Sequence, residues 1–158
     1  MKLKPEEIKR LETILEPFRN DERTQKMKQF IQHGKITTYE HAESVTKLSY
    51  WINKRLHLNA DEHVLTVGAF LHDYYLYDWH ETDEGNGLHG FSHSRTARRN
   101  AVAHFGICKR TQSVIETHMW PLTFTKVPRS REAWIVCLAD KWVSTRETLL
   151  CRSDLYWI

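Results

Sequence analysis

Thiols are scarce in this 158-residue chain: Cys108, Cys137 and Cys151 are odd in number and show no CxxC spacing. That argues against both a disulfide framework and a thiolate zinc module. The expectation is reduced cysteines in a cytoplasmic protein, with Cys108 and Cys137 as small buried hydrophobes. Long apolar runs are missing too. Nowhere do 18 uncharged apolar residues stand together, and the charged start Met1-Lys2-Leu3-Lys4-Pro5-Glu6-Glu7 has no apolar segment behind it, so neither a spanning helix nor an export signal is expected. No block of one charge sign occurs: 23 basic and 20 acidic side chains are spread along the chain for a formal charge of +3, which gives no strong nucleic-acid signal. A mildly basic balance fits a pocket for small anions. Internal repeats, low-complexity tracts and strand-like alternation are absent as well, so the class read from periodicity is all-α. The length suits a single domain with one core, and oligomeric state is not legible.

What is present is helical periodicity. From Lys4 to Gln32, apolar residues recur at steps of three and four, which predicts two helices broken near Pro17 and packed over the main body as an N-terminal cap of residues 1–35. Thr37-Thr38 with Glu40 resembles an N-cap before a long helix to about Leu56, whose inner face carries His41, Val45 and Leu48. Asn59 is the expected cap of a helix from Ala60 to about Tyr75. A polar stretch from Asp78 to Ser92, holding Gly85, Gly87 and Gly90, reads as an ordered loop. Helix is expected again from Ser94 to a stop at Gly106, then through Val114, Ile115 and His118 to Trp120-Pro121. The stretch Leu122 to Pro128 is irregular, and a final helix runs from about Ser130 to Leu150.

Chemistry enters with His41, the pair His72-Asp73, His93, His118 and Asp140, which helical periodicity points into one interior. A single buried histidine ordinarily satisfies hydrogen bonds in a core. Here His72-Asp73 follows the apolar run Val67–Leu71 and Asp140 follows Ile135–Ala139, so two carboxylates are driven inward. Burial without a cation or hydrogen-bond partner costs several kcal/mol each. A bound metal relieves that cost. Nitrogen donors mixed with carboxylates suit a divalent transition ion, such as iron or manganese, with zinc, nickel or cobalt also compatible. Adjacent helical residues point about 100° apart, so His72 and Asp73 either grip one ion lying close to the helix or Asp73 bridges two.

In that order and spacing, His41, His72-Asp73 and Asp140 resemble the HD superfamily of metal-dependent phosphohydrolases. The closer likeness is to the six-ligand dinuclear branch that includes the bacterial diadenosine tetraphosphate hydrolases. There an added histidine opens a helix with small residues four and eight positions on and Phe-Gly at its end, as His93, Ala97, Ala101 and Phe105-Gly106 do; the other added histidine matches His118 after Val114-Ile115. Leu138-Ala139-Asp140-Lys141 with Arg146 completes a likeness spanning Thr38 to Thr148. It implies an HD-domain-like helical bundle over residues 1–158. It further implies two ions held by His41, His72, Asp73, His93, His118 and Asp140, with Asp73 as the bridge. The implied activity is hydrolysis of a nucleotide or other small phosphate ester by metal-activated water. Many relatives carry a phosphate-binding lysine three residues after the His-Asp pair, where this chain has Leu76, so Lys141 and Arg146, with Arg95 and Arg98, are the cations left for phosphate. The same ligand set also occurs in HD-superfamily di-iron oxygenases, and a non-catalytic nucleotide-sensing module is the third reading. Metal and activity are expected to fade below about pH 6, near the free imidazole pKa.

Tyr74, Tyr75, Tyr77 and Trp79 read either as core or as the wall of a nucleobase pocket. His80 and His89 are loop histidines able to serve a leaving group, with plain solvent exposure as the simpler reading.

Overall fold

In the computed structural model, residues 2–78 and 89–150 are described, with the side chains of 89–91 and 150 excepted. Trp79, His80, Cys151, most of the glycine-rich loop and the side chain of His89 lie outside that description.

The centre of the bundle is a short, strongly apolar helix. In α4 (Glu62–Phe70) every residue from Val64 to Phe70 is buried, so the helix is surrounded rather than amphipathic. Around it pack α1 (Pro5–Arg19), α3 (Thr38–Arg55), α6 (Lys109–Thr117) and α7 (Arg131–Leu150), with α5 (His89–Phe105) against α6. Two apolar clusters meet on α4, one gathering Leu11, Leu15 and Met27 with Phe70 and Ile115, the other Val45 and Leu65 with Val136 and Ala139. At Gly68 a Cβ would lie 2.7 Å from Val114 Cγ1, so this glycine sets how closely α4 approaches α6. The all-α reading holds, and no helix among the described residues is long and apolar enough to cross a membrane.

Local chemistry explains the boundaries. Thr37 and Glu40 form a reciprocal capping box at the start of α3, as expected. Gly106, at φ +59, closes α5 where the sequence placed its stop. Ser130 Oγ accepts from Ala133 N–H ahead of α7.

Four expectations need correction. Pro17 does not break the first helix, because α1 continues to Arg19. The proline sits in the last turn, where only the bond to the Thr13 carbonyl is lost, and both residues are exposed. The second predicted helix is instead a short α2 (Glu22–Gln25), a 3₁₀ turn (Lys26–Gln29) and a hairpin of β1 (Ile31–His33) and β2 (Ile36–Thr37), turning at Gly34 with φ +60. The cap of α4 is Asp61, which accepts from Val64 N–H, while Asn59 adopts φ +51 just outside the helix. Cys108 is exposed at the N-cap of α6; Cys137 is buried as expected.

Candidate metal centre

Helix ends deliver most of the ligand-type side chains. His41 projects from the first turn of α3, His93 from the second turn of α5, His118 from the C-cap of α6 and Asp140 from the middle of α7. His72 and Asp73 follow the end of α4 rather than continuing it. A tight turn closes there, with Tyr74 N–H donating to the Leu71 carbonyl at 3.1 Å and Tyr75 N–H to the Asp73 carbonyl at 2.8 Å. Asn100 of α5 donates to the carbonyls of Tyr74 and Tyr75, at 3.2 and 3.0 Å. The expected helix to Tyr75 is therefore cut short at Phe70. The 100° divergence of helical neighbours does not apply to His72 and Asp73, and both face one volume.

All six side chains are buried, and they converge. One group joins His41 Nε2, His72 Nε2, Asp73 Oδ2 and Asp140 Oδ1. The separations are His41 to Asp140 3.3 Å, His41 to Asp73 3.8 Å, His72 to Asp73 3.4 Å and His72 to Asp140 3.7 Å. The second group joins Asp73 Oδ1, His93 Nε2 and His118 Nε2 at 3.0, 3.3 and 3.5 Å. Two donors about 2.1 Å from a common ion stand roughly 3.0 Å apart at a right angle and roughly 3.4 Å apart at the tetrahedral angle. Both groups have edges of that size, and Asp73 turns one oxygen to each.

Unmet bonding capacity sits at the same point. His72 Nε2 and Asp73 Oδ1 are buried with no hydrogen-bond partner, a costly condition for protein atoms alone. His118 Nδ1–H donates to the Ile115 carbonyl at 2.8 Å, so its Nε2 presents a lone pair to His93 Nε2. His72 Nδ1–H likewise donates to the Ala69 carbonyl at 2.7 Å, and His41 Nδ1–H to Glu147 Oε2 at 2.7 Å. These outer bonds fix the tautomer and aim each Nε2 inward, as metal-binding imidazoles require. The donor set therefore fits divalent cations.

Titration behaviour follows the same grouping. Burial opposes charge on His41, but hydrogen bonds with Asp140 and Glu147 outweigh it and raise the pKa to about 9. Burial also opposes charge on His72, where the negative charges of Asp73 and Asp140 prevail and raise it to about 10. Burial disfavours ionised Asp73 and Asp140 too, yet the neighbouring imidazoliums hold both carboxyls well below their usual range. His118 goes the other way: burial and the positive charge of His72 push it down to about 3. As protein alone, the centre balances its carboxylates with imidazolium protons that cations would displace.

A cavity of about 610 Å³ opens onto Asp73, His93, His118 and Asp140. Its far wall is apolar, built by Met119, Pro121, Leu122 and Phe124 from the irregular segment after α6, and Phe124 is 79% exposed. Lys141 lines the same cavity, its Nζ donating to the His118 carbonyl at 2.7 Å. Arg146 is half-buried on α7 and is not among the described residues that line it. Arg95 lies in a neighbouring cavity with Lys126, which shares Leu122 and Phe124 with the first, and Arg98 approaches Glu116 at 3.8 Å. Tyr74 and Tyr75 are buried, the core alternative of the sequence reading.

Three residues that touch the centre were not expected. Glu147 stands seven positions after Asp140, two turns along the same face of α7, so helical period held a usable signal for it. Gln32 donates from Nε2 to Asp73 Oδ2 at 2.6 Å, and the His33 ring packs edge-on to His41 with centroids 5.6 Å apart. Both come from β1, where a helix was expected, and no spacing in the sequence marks them.

Among known proteins, the sequence model described as HD domain matches residues 38–143. No curated protein and no solved structure matches the chain significantly.

Proposed function

Since the chain belongs to the HD domain family, most of whose superfamily are metal-dependent hydrolases, we propose that it is a metal-dependent phosphohydrolase of the six-ligand dinuclear branch. Its substrate is a nucleotide or another small phosphate ester with an apolar or aromatic group. The observation carrying this reading is Asp73, which directs Oδ2 to one nitrogen cluster and Oδ1 to the other. In this reading His41, His72, Asp73 and Asp140 hold one ion, and Asp73, His93 and His118 hold the second. Divalent cations held by these residues would supply Lewis acidity and a water-derived nucleophile at neutral pH, so no serine or cysteine nucleophile is required.

The chain's own residues do the rest. Lys141 Nζ, anchored on the His118 carbonyl beside Asp140, supplies a fixed positive charge at the cavity wall for a phosphoryl oxygen. The aliphatic and aromatic surface of Met119, Leu122 and Phe124 covers the organic part of the ester and keeps water from it. Buried Glu147 holds His41 in one tautomer. Arg146, six residues past Asp140 on the same helix, is the second cation proposed for phosphate, and phosphate-ester kinetics of Arg146→Ala test it.

The test is metal analysis of the purified protein followed by an anaerobic phosphate-ester screen with manganese. The expected outcome is two ions per chain and phosphate release, with both lost in Asp73→Ala. Dioxygen uptake by the iron-loaded protein without phosphate release assigns the chain to the oxygenases instead. Ester-dependent stabilisation without turnover assigns it to sensing.

A further inference from the structure

The family match begins at residue 38, yet the carboxylate shared by the two nitrogen clusters is held from outside it, by Gln32. The terminal torsion of an aspartate is a broad, roughly two-fold rotation with no strong preference of its own. A carboxylate that must present one oxygen to each of two groups therefore needs its twist set by a neighbour. Gln32 Nε2 donates to Asp73 Oδ2 at 2.6 Å, while Gln32 Oε1 accepts from the Tyr75 hydroxyl at 2.5 Å and from Thr38 Oγ1 at 3.3 Å. Thr38 Oγ1 and the Tyr75 hydroxyl are themselves 3.1 Å apart, close enough for Thr38 to share its single proton between Gln32 Oε1 and the Tyr75 oxygen. The opposite amide orientation would set a carbonyl oxygen against a carboxylate oxygen at hydrogen-bond distance, two acceptors in contact. The amide thus has one way round.

We infer that Gln32 is a positioning residue for the candidate metal centre: locked by Tyr75 and Thr38, its amide sets the twist of the Asp73 carboxylate so that one oxygen faces each nitrogen cluster. The hairpin is the means. Thr38 N–H donates to the Phe30 carbonyl at 2.8 Å, which ties the strand to the start of α3, one turn from His41. Residues 30–38 therefore act as a brace across the mouth of the bundle. This inference rests on the dinuclear reading of Asp73.

Its test is manganese titration of the full chain, read by electron paramagnetic resonance and by metal content, alongside steady-state kinetics on whichever ester the screen identifies. Gln32→Leu keeps the volume and removes the N–H; Tyr75→Phe keeps the buried ring and releases the amide. Both variants are expected to fold, to bind the weaker ion roughly 10- to 100-fold less tightly and to lose kcat with KM within about twofold, as for other groups that orient ligands. Because Tyr75 acts through Gln32, Tyr75→Phe should add nothing in the Gln32→Leu background. Two manganese ions bound at wild-type affinity in folded Gln32→Leu, with Asp73→Ala losing them, overturns this inference alone. Additive effects of the two substitutions overturn it as well. Should Gln32→Leu not fold, Tyr75→Phe decides the matter by the same readout. Absence of manganese binding by the wild-type chain overturns this inference and the dinuclear reading together.

Discussion

At the level of single residues the centre is a contest between protons and cations for the same atoms. His41 and His72, with pKa values raised to about 9 and about 10, are imidazolium in the metal-free protein at neutral pH. Ligation requires their neutral form. Metal uptake near neutrality should therefore expel about two protons per chain, and affinity should climb with pH until those values are passed. Calorimetric titration in buffers of different ionisation enthalpy measures the count; no proton release would contradict the assignment of these two nitrogens as ligands. This moves the window upward from the expectation of a loss near pH 6, because the free imidazole value ignores Asp140, Glu147 and Asp73. The sign for the metal-free fold is opposite. Groups with raised pKa values contribute stability that is complete below the unfolded value and lost as pH rises through about 9 and about 10.

Helices set the distances within which those residues act. Gly68 lets α4 lie against α6, and a methyl there meets Val114 side-chain atoms at 2.7 and 2.9 Å. Replacing a helical glycine by alanine ordinarily gains about 0.4–1 kcal/mol through the unfolded chain, but overpacking against a stiff β-branched neighbour costs about 1–3 kcal/mol. Gly68→Ala should therefore destabilise the fold by denaturant titration, and the loss should shrink in the Val114→Ala background; equal losses in both backgrounds would show that the contact is not the cause. A second tie joins α1 to α3, where Arg55 makes a two-pronged pair with Glu7 at 2.8 Å on each arm. Bonding to Arg55 lowers the Glu7 pKa from 4.5 to about 2. Its contribution is present above the unfolded value and lost as pH falls toward about 2. Glu7→Gln should cost about 1 kcal/mol near neutral pH and only a small fraction of that at about pH 2, as measured by urea unfolding at both. The helices themselves were largely legible, through the Thr37–Glu40 cap, Gly106 and the apolar stripes. Residues 30–37 were not, because the apolar spacing up to Gln32 fits a helix while the Gly34 turn and Thr38 pairing with Phe30 draw them into a hairpin.

Across the whole molecule, α3, the turn after α4, α5, the C-cap of α6 and α7 each bring a ligand-type side chain to one buried volume, so cations bound there would cross-link five segments. A ligand bound only by the folded state at 100 times its Kd adds about 2.7 kcal/mol. In a chain of this length each kcal/mol moves Tm by about 2–4 °C. Manganese should accordingly raise Tm by roughly 5–10 °C in calorimetry relative to chelator-treated protein, and Asp73→Asn should abolish the shift; an equal shift in that variant would place the ions elsewhere. The family likeness and the identity of the six polar residues were readable in the linear chain, because burying imidazole and carboxylate after apolar runs demands a partner wherever the helices end up. Which oxygen of Asp73 meets which cluster, the turn that frees His72 from the axis of α4, the enlistment of Gln32 and His33, and the meeting of Glu147 with His41 were decided only in three dimensions. Those features depend on contacts between segments up to 106 residues apart, and no local periodicity encodes a distance between atoms that the chain brings together only on folding.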